Sequence, residues 1–286
     1  MVTLTTPGVM QGWTDAAHRA GSRVALVPTM GALHEGHLAL VAEARRRADR
    51  VVVSIFVNPI QFNRRDDFDR YPRTLDVDAA LCAGAGVDAI YAPSPAAMYP
   101  EGYQSHVEVA KLTEPLCGAA RPGHFRGVTT VVAKLFNAAR PDVAVFGEKD
   151  FQQLAVIRRM TVDLDFGIEI VGVPTIREAD GLAMSSRNRL LSPVEREAAR
   201  CVPRALAVAS EAVARGETRA AAVVGAASAV IAAEPKARVE YAETRDPGTL
   251  EAVEVVTGPT LLALAVWVGS VRLIDNRVLV PGREDR

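Results

Sequence analysis

Apolar residues gather in short, β-branched runs at residues 24–27, 51–57, 89–92, 143–146 and 168–173, with stretches between them long enough to hold helices. Such runs suit strands buried on both faces. Between the first two, Leu38-Ala-Leu-Val-Ala-Glu-Ala-Arg-Arg-Arg puts Leu38, Val41 and Ala42 on one helical face. Its arginines fall at the end where the helix dipole favours cations. Strand, helix, strand, repeated over residues 24–173, predicts right-handed crossovers and an open, Rossmann-like parallel sheet. In such sheets ligands bind beyond the carboxyl ends of the strands.

The pattern changes near residue 175. Residues 193–233 are rich in Ala, Glu and Arg at helical spacing, and runs at 238–244, 261–268 and 271–274 read as short antiparallel strands. The expected class is therefore α/β: a Rossmann-like nucleotide-binding catalytic domain over residues 1–175, followed by a smaller α+β domain over residues 176–286. The polar, Gly-containing stretch 178–189 reads as a loop or hinge at the junction.

A length of 286 residues accommodates two domains. Lys and Arg number 33 against 34 Asp and Glu, so the balance supplies no basic field for nucleic acid or an anionic membrane. The longest apolar run, 261–268, falls far short of the roughly 20 residues of a membrane span, and the first residues have no signal-peptide pattern. Cys82, Cys117 and Cys201 lie too far apart in sequence to suggest a zinc knuckle or a disulfide framework. These readings point to a cytoplasmic protein with no nucleic-acid or membrane partner.

Three segments carry chemistry. Val27-Pro-Thr-Met-Gly-Ala-Leu-His-Glu-Gly-His-Leu stands where the first predicted strand turns into a helix. Gly31 and Gly36 let the backbone approach a ligand, and a helix start offers unpaired N–H groups to phosphate. His34 and His37, three apart, project from one side of the first helical turn and suit charge developing as pyrophosphate leaves. A bare pair of this spacing serves equally well as a helix cap, and it lacks the i, i+4 spacing of a zinc-protease helix. Phe146-Gly-Glu-Lys-Asp-Phe-Gln-Gln follows another predicted strand, with Gly147 for the turn, Lys149 as a point charge and Gln153 one turn on. Met184-Ser-Ser-Arg-Asn offers two hydroxyls and a guanidinium in the junction loop. Asn58 and Gln61, after the second run, could read a small polar ligand or simply form an Asn-Pro turn.

Together these segments resemble the pantothenate synthetase family, nucleotidyltransferases that share a histidine signature with class I aminoacyl-tRNA synthetases. The resemblance runs from Pro28-Thr-Met-Gly-Ala-Leu-His-Glu-Gly-His through Asn58-Pro-Ile-Gln-Phe, Tyr71-Pro-Arg-Thr, His124-Phe-Arg-Gly-Val and Phe146-Gly-Glu-Lys-Asp to Arg177-Glu-Ala-Asp-Gly-Leu-Ala-Met-Ser-Ser-Arg-Asn and Arg272-Leu-Ile-Asp-Asn. It implies ATP-dependent joining of pantoate to β-alanine through a pantoyl adenylate. It implies an ATP site made of Met30, Gly31, Ala32, Leu33, His34, Glu35, Gly36 and His37, with Gly147, Glu148, Lys149, Asp150, Ile176, Met184, Ser185, Ser186 and Arg187. His37, His34 and Lys149 carry the catalytic roles, Gln61 and Gln153 bind pantoate, and Gln61 also touches β-alanine. The resemblance further implies Mg²⁺ with ATP and a homodimer, with no metal ligand assigned; Asp78 is a candidate contact only.

The loop after Phe62, Asn-Arg-Arg-Asp-Asp, departs from the more usual Gly-containing stretch of the family. Residues 62–71 are highly charged and carry no apolar helical stripe, so they read as a connector or as a lid over a hydrolysable anhydride. The rival readings are another adenylyl- or cytidylyltransferase of the same superfamily, and a nucleotide-binding regulatory protein without turnover.

Overall fold

A computed structural model describes residues 1–282. By internal contacts the chain forms two compact units: residues 1–148 with 153–174, and residues 149–152 with the C-terminal part from 175.

The first unit is built on six parallel strands in the order β1-β4-β3-β2-β5-β6. They are β1 (Val2–Leu4), β2 (Val24–Thr29), β3 (Arg50–Ile55), β4 (Ala89–Tyr91), β5 (Val143–Gly147) and β6 (Glu169–Val173). The runs show no regular polar alternation because successive residues feed opposite cores. Leu26, Val52, Tyr91, Ala144 and Phe146 enter one core with helix His124–Ala139, while Ala25, Val27, Val53, Ile90 and Val145 enter the other with helix Glu35–Arg47.

Helix Glu35–Arg47 buries Leu40, Val41 and Ala44, whereas Ala42 is exposed and Leu38 is only half-buried. The expected face of Leu38, Val41 and Ala42 is therefore rotated. An Ala-rich helix carries a weak stripe, so its phase is set by how its first turn is fixed and not by its own pattern. Strand β1 and the helix Pro7–Arg19 that follows it, with Pro7 in its first turn and Thr6 as its cap, stand outside the expected repeat.

The second unit packs helices Cys201–Ala214 and Ala220–Ala232 on an antiparallel sheet of β7 (Ala237–Arg245), β8 (Thr260–Val268) and β9 (Val271–Leu279). The helical stretch 193–233 breaks into three because Arg200 interrupts it and Gly216, at φ +94°, ends the middle piece. β9 continues past residue 274. Its Asp275, Asn276 and Arg277 interrupt the apolar run but stay paired, with Thr260 opposite Leu279. Among the described residues no helix is long and apolar enough to cross a membrane.

Candidate active site

The loop between β2 and helix Glu35–Arg47 is held by a carboxylate 46 residues away in sequence. Asp78, 1% exposed, accepts hydrogen bonds from Ala32 N at 2.9 Å and Leu33 N at 2.8 Å, and from Thr74 Oγ1 at 3.2 Å. Gly31 lies at φ +81°, and a Cβ there would sit 2.9 Å from Asp78 Oδ2, so the glycine is required by both its backbone and its neighbour. Ala32 also adopts positive φ, +51°, which the paired amides of the loop stabilise. Thr29 Oγ1 donates to Ser54 O at 2.7 Å and accepts from Gly31 N at 3.1 Å, tying the loop to the end of β3.

His34 is not in the helix. It is the N-cap, extended at φ −146°, and His37 is the third helical residue, which corrects the expectation that both lie on the first helical turn. His34 Nδ1 accepts from Gly36 N at 3.2 Å, and His37 Nδ1 accepts from His34 N at 3.3 Å. This is a capping box made of imidazoles, with ring centroids 4.1 Å apart. A ring nitrogen that accepts a hydrogen bond carries its lone pair, so the proton of each neutral ring sits on Nε2. Capping by Nδ1 therefore does not exclude the phosphate reading, since the proton of each neutral ring lies on the other nitrogen.

β5 lies beside β2, with Leu26 level with Ala144, so Thr29 and Gly147 end their strands at the same height. The strand order reverses at β2, and ligands bind at such switch points. After Gly147 the chain makes a short 3-10 turn, Glu148–Asp150, and enters helix Phe151–Asp163, where Gln153 is half-buried in the first turn. Residues 149–152 group with the second unit, in which Asn276 Nδ2 donates to Lys149 O at 2.9 Å. The Lys149 ammonium lies 3.9 Å from Asp150.

Gln61 closes a short 3-10 turn, Pro59–Gln61, and is fixed from several sides. Asn58 Nδ2 donates to Gln61 Oε1 at 2.9 Å and to Gly127 O at 3.0 Å, and Tyr99 Oη donates to Asn58 Oδ1 at 2.8 Å. Gln61 Nε2 reaches Met30 Sδ at 3.1 Å, which brings the pantoate candidate against the histidine loop. Its backbone carbonyl meets His124 Nδ1 at 2.9 Å and accepts from Arg121 at 3.2 Å. Gly127 faces the turn so closely that a Cβ would lie 2.5 Å from Ile60 O, which accounts for the glycine in His124-Phe-Arg-Gly.

In the second unit, the stretch expected as a hinge begins as a hairpin, with an antiparallel bridge between Arg177 and Ala183 and Met184 N donating to Ile176 O at 2.9 Å. Arg177 forms two bonds to the buried Asp275, at 2.7 and 3.0 Å. Ser185 then caps the 3-10 turn Ser186–Leu190, and buried Asn188 donates to Ala183 O at 3.0 Å and to Glu178. The Ser-Ser-Arg segment therefore stands on an ordered base.

Residues 62–71 also carry more structure than expected. They include a helix, Arg65–Arg70, and an aromatic cluster in which Phe62 lies 5.4 Å from Phe68 and 5.8 Å from Tyr71. The Arg73 guanidinium sits 4.9 Å from the centre of the Phe68 ring. Sequence reasoning passed over Tyr99, the close packing that requires Gly127, and the anchoring role of Asp78, because each acts across a long sequence separation.

The profile of the family described as pantoate-beta-alanine ligase matches residues 2–278. The chain is 54% identical over 279 residues to the pantothenate synthetase of Moorella thermoacetica, covering 98% of this chain and 99% of that one. It is 60% identical over 256 residues to that of Citrifermentans bemidjiense, covering 90% and 92%. Among solved structures, the pantothenate synthetase of Thermus thermophilus superposes with a TM-score of 0.93 at 46% identity, over 98% of this chain and 100% of that one. The pantoate-beta-alanine ligase of Francisella tularensis, complexed with beta-gamma ATP and beta-alanine, superposes with a TM-score of 0.80 at 31% identity over 97% of each chain.

Proposed function

From the premise that this chain belongs to the pantoate-beta-alanine ligase family, we propose how its own residues divide the work of the reaction. The reaction is the ATP-dependent condensation of pantoate with β-alanine to pantothenate, AMP and pyrophosphate. The whole-chain match favours it over another nucleotidyltransferase activity.

A carboxylate is a poor acyl electrophile. Pantoate oxygen first attacks the α-phosphorus of ATP and pyrophosphate leaves; the β-alanine amine then attacks the acyl carbon of pantoyl adenylate and AMP leaves. Neither step needs a protein nucleophile, only positioning and charge stabilisation. The loop from Met30 to His37, with Gly147 and Glu148, holds ATP, and the Nε2–H groups of His34 and His37 donate to the phosphates as charge moves onto the leaving group. On the family resemblance, Lys149, Asp150, Ile176 and residues 184–187 are further phosphate and nucleotide contacts. Gln61 and Gln153 hold pantoate, and Gln61 meets β-alanine. The observation that carries this reading is the imidazole capping box, which fixes two ring donors at a strand-to-helix turn on the switch point of the sheet.

Any Mg²⁺ would be held by the nucleotide's phosphates, with no protein ligand assigned. Asp78, the carboxylate buried beside the loop, has three donors on its two oxygens and so keeps at most one lone pair. That donor set fits an ion whose ligands are phosphate and water and not a protein cage. The ion would offset charge on the polyphosphate. A homodimer and a cytoplasmic setting complete the proposal and rest on the family resemblance; sedimentation of the purified chain checks the first.

The test is isotope exchange. With Mg²⁺, ATP and pantoate but no β-alanine, labelled pyrophosphate should pass into ATP. Absence of exchange in a preparation that makes pantothenate would show that no free-standing adenylation step occurs.

A further inference from the structure

Gln61 can face a ligand with either end of its carboxamide, and the two ends have opposite chemistry. One donates two N–H bonds, and the other only accepts. Pantoate reacts as a carboxylate, which accepts only, so the choice between the ends decides whether Gln61 attracts or repels it.

We propose that Tyr99 is a positioning residue for pantoate: its hydroxyl, through Asn58, holds Gln61 with its amide N–H₂ and not its carbonyl available to the substrate. The inference rests on the reading that Gln61 binds pantoate. The donors run one way along the chain of contacts. Tyr99 O–H donates to Asn58 Oδ1 at 2.8 Å, and Asn58 Nδ2 donates to Gln61 Oε1 at 2.9 Å. With its carbonyl taken, Gln61 keeps Nε2, whose partner here is the weakly accepting Met30 Sδ at 3.1 Å. Asn58 cannot turn over without facing its carbonyl at Gly127 O, which now accepts from Nδ2 at 3.0 Å.

Asn58 is 1% exposed, so without Tyr99 its Oδ1 would be a buried acceptor with no donor, and the amide would shift to find one. In the present arrangement each bond polarises the next, which strengthens the final N–H as a donor. Tyr99 is itself fixed: its ring packs 6.1 Å from that of Phe56 and 5.1 Å from that of Tyr103, with the Lys134 ammonium 5.9 Å from its centre. Burial pushes its hydroxyl pKa well above the ordinary tyrosine value, so it keeps its proton as the first donor of the series.

Tyr99→Phe removes one oxygen and keeps the ring. In pyrophosphate exchange it should raise the pantoate KM about tenfold, the effect of one buried carbonyl left without its donor, and leave the ATP KM within about twofold. The decisive comparison is the cycle Tyr99→Phe, Gln61→Ala and the double variant, with pantoate Kd from calorimetry wherever turnover is too slow. Acting through Gln61, Tyr99→Phe should add less than about a further twofold to Gln61→Ala. A full, additive loss in the double variant, an equal change in the ATP KM, or no effect of Tyr99→Phe alone would each overturn the proposal. An unchanged pantoate KM in Gln61→Ala would instead sink the assignment of Gln61, and the role of Tyr99 with it.

Discussion

Two roles meet at the His37 ring, one observed and one proposed. Nδ1 accepts from His34 N and closes the helix start, and the proposed phosphate donor is Nε2–H, so substitutions can separate the two. Glutamine at the third helical position is an ordinary capping-box partner. His37→Gln should therefore hold thermal stability near the parent value yet lose ~10²-fold in pyrophosphate exchange, as for one preorganised donor removed. His37→Ala should show the same loss of exchange and, in addition, a fall of about 0.5–2 kcal/mol in unfolding free energy for the lost cap. If His37→Gln retained full exchange, the ring would be a cap alone. Asp78 poses the complementary case. Asn in its place turns an acceptor into a donor facing the amides of Ala32 and Leu33, a change of about 1–3 kcal/mol for a buried unsatisfied group. The ATP KM should rise in Asp78→Asn more than that for pantoate; an effect on pantoate alone would detach Asp78 from the nucleotide loop. The histidines were legible in the sequence because motif and turn coincide within a few residues. Asp78 was legible only as a candidate metal contact, since no local pattern reveals that a distant carboxylate holds a loop.

At the scale of elements, the runs that became β2 to β6 were readable because strands in the interior of a parallel sheet are apolar at most positions, and even the edge strand β6 keeps a β-branched run. β1 was not, since three residues on the sheet edge carry too short a pattern, and the far end of β9 was hidden by Asp275, Asn276 and Arg277. The fold of the segment after Gln61 was hidden for a related reason: its apolar contacts come from three aromatic rings spaced too irregularly to form a helical stripe. That cluster makes residues 62–71 a small folded element and not a bare connector, of a kind able to move as a unit over a reactive anhydride. Arg64 is exposed and the Arg65 side chain is 93% exposed, so trypsin has a target at its start. Limited digestion of the free enzyme should nick at this pair early. ATP, pantoate and Mg²⁺ together should slow the cut well beyond ATP alone. Equal rates in enzyme shown to form the adenylate would leave the segment without a closing role.

At the scale of the whole molecule, the chain forms two compact units, and each contains a fully buried thiol: Cys82 in the first and Cys201 in the second. Burial, before any other cause, pushes both thiols up to about 11, so neither forms the reactive thiolate while its unit is closed. Labelling of each cysteine in rising denaturant, read by mass spectrometry, therefore reports the opening of its own unit. Separate units make two midpoints the expectation. Asp275 provides the control. It is 3% exposed and bound twice by Arg177 inside the second unit, and removing one partner of a buried pair costs about 3 kcal/mol. Asp275→Asn should bring Cys201 labelling to lower denaturant and leave Cys82 where it was; a matching shift at Cys82 would show one cooperative molecule. The same thiols contribute to a loss of stability at alkaline pH. Below pH 9 folded and unfolded chains both keep the protons. Between about 9 and 11 only the unfolded chain gives them up, so stability falls with rising pH by up to about 1.4 kcal/mol per pH unit for each thiol. Cys82→Ala should flatten that alkaline slope for the first unit and Cys201→Ala for the second. A slope unchanged in both would assign the alkaline loss to other groups.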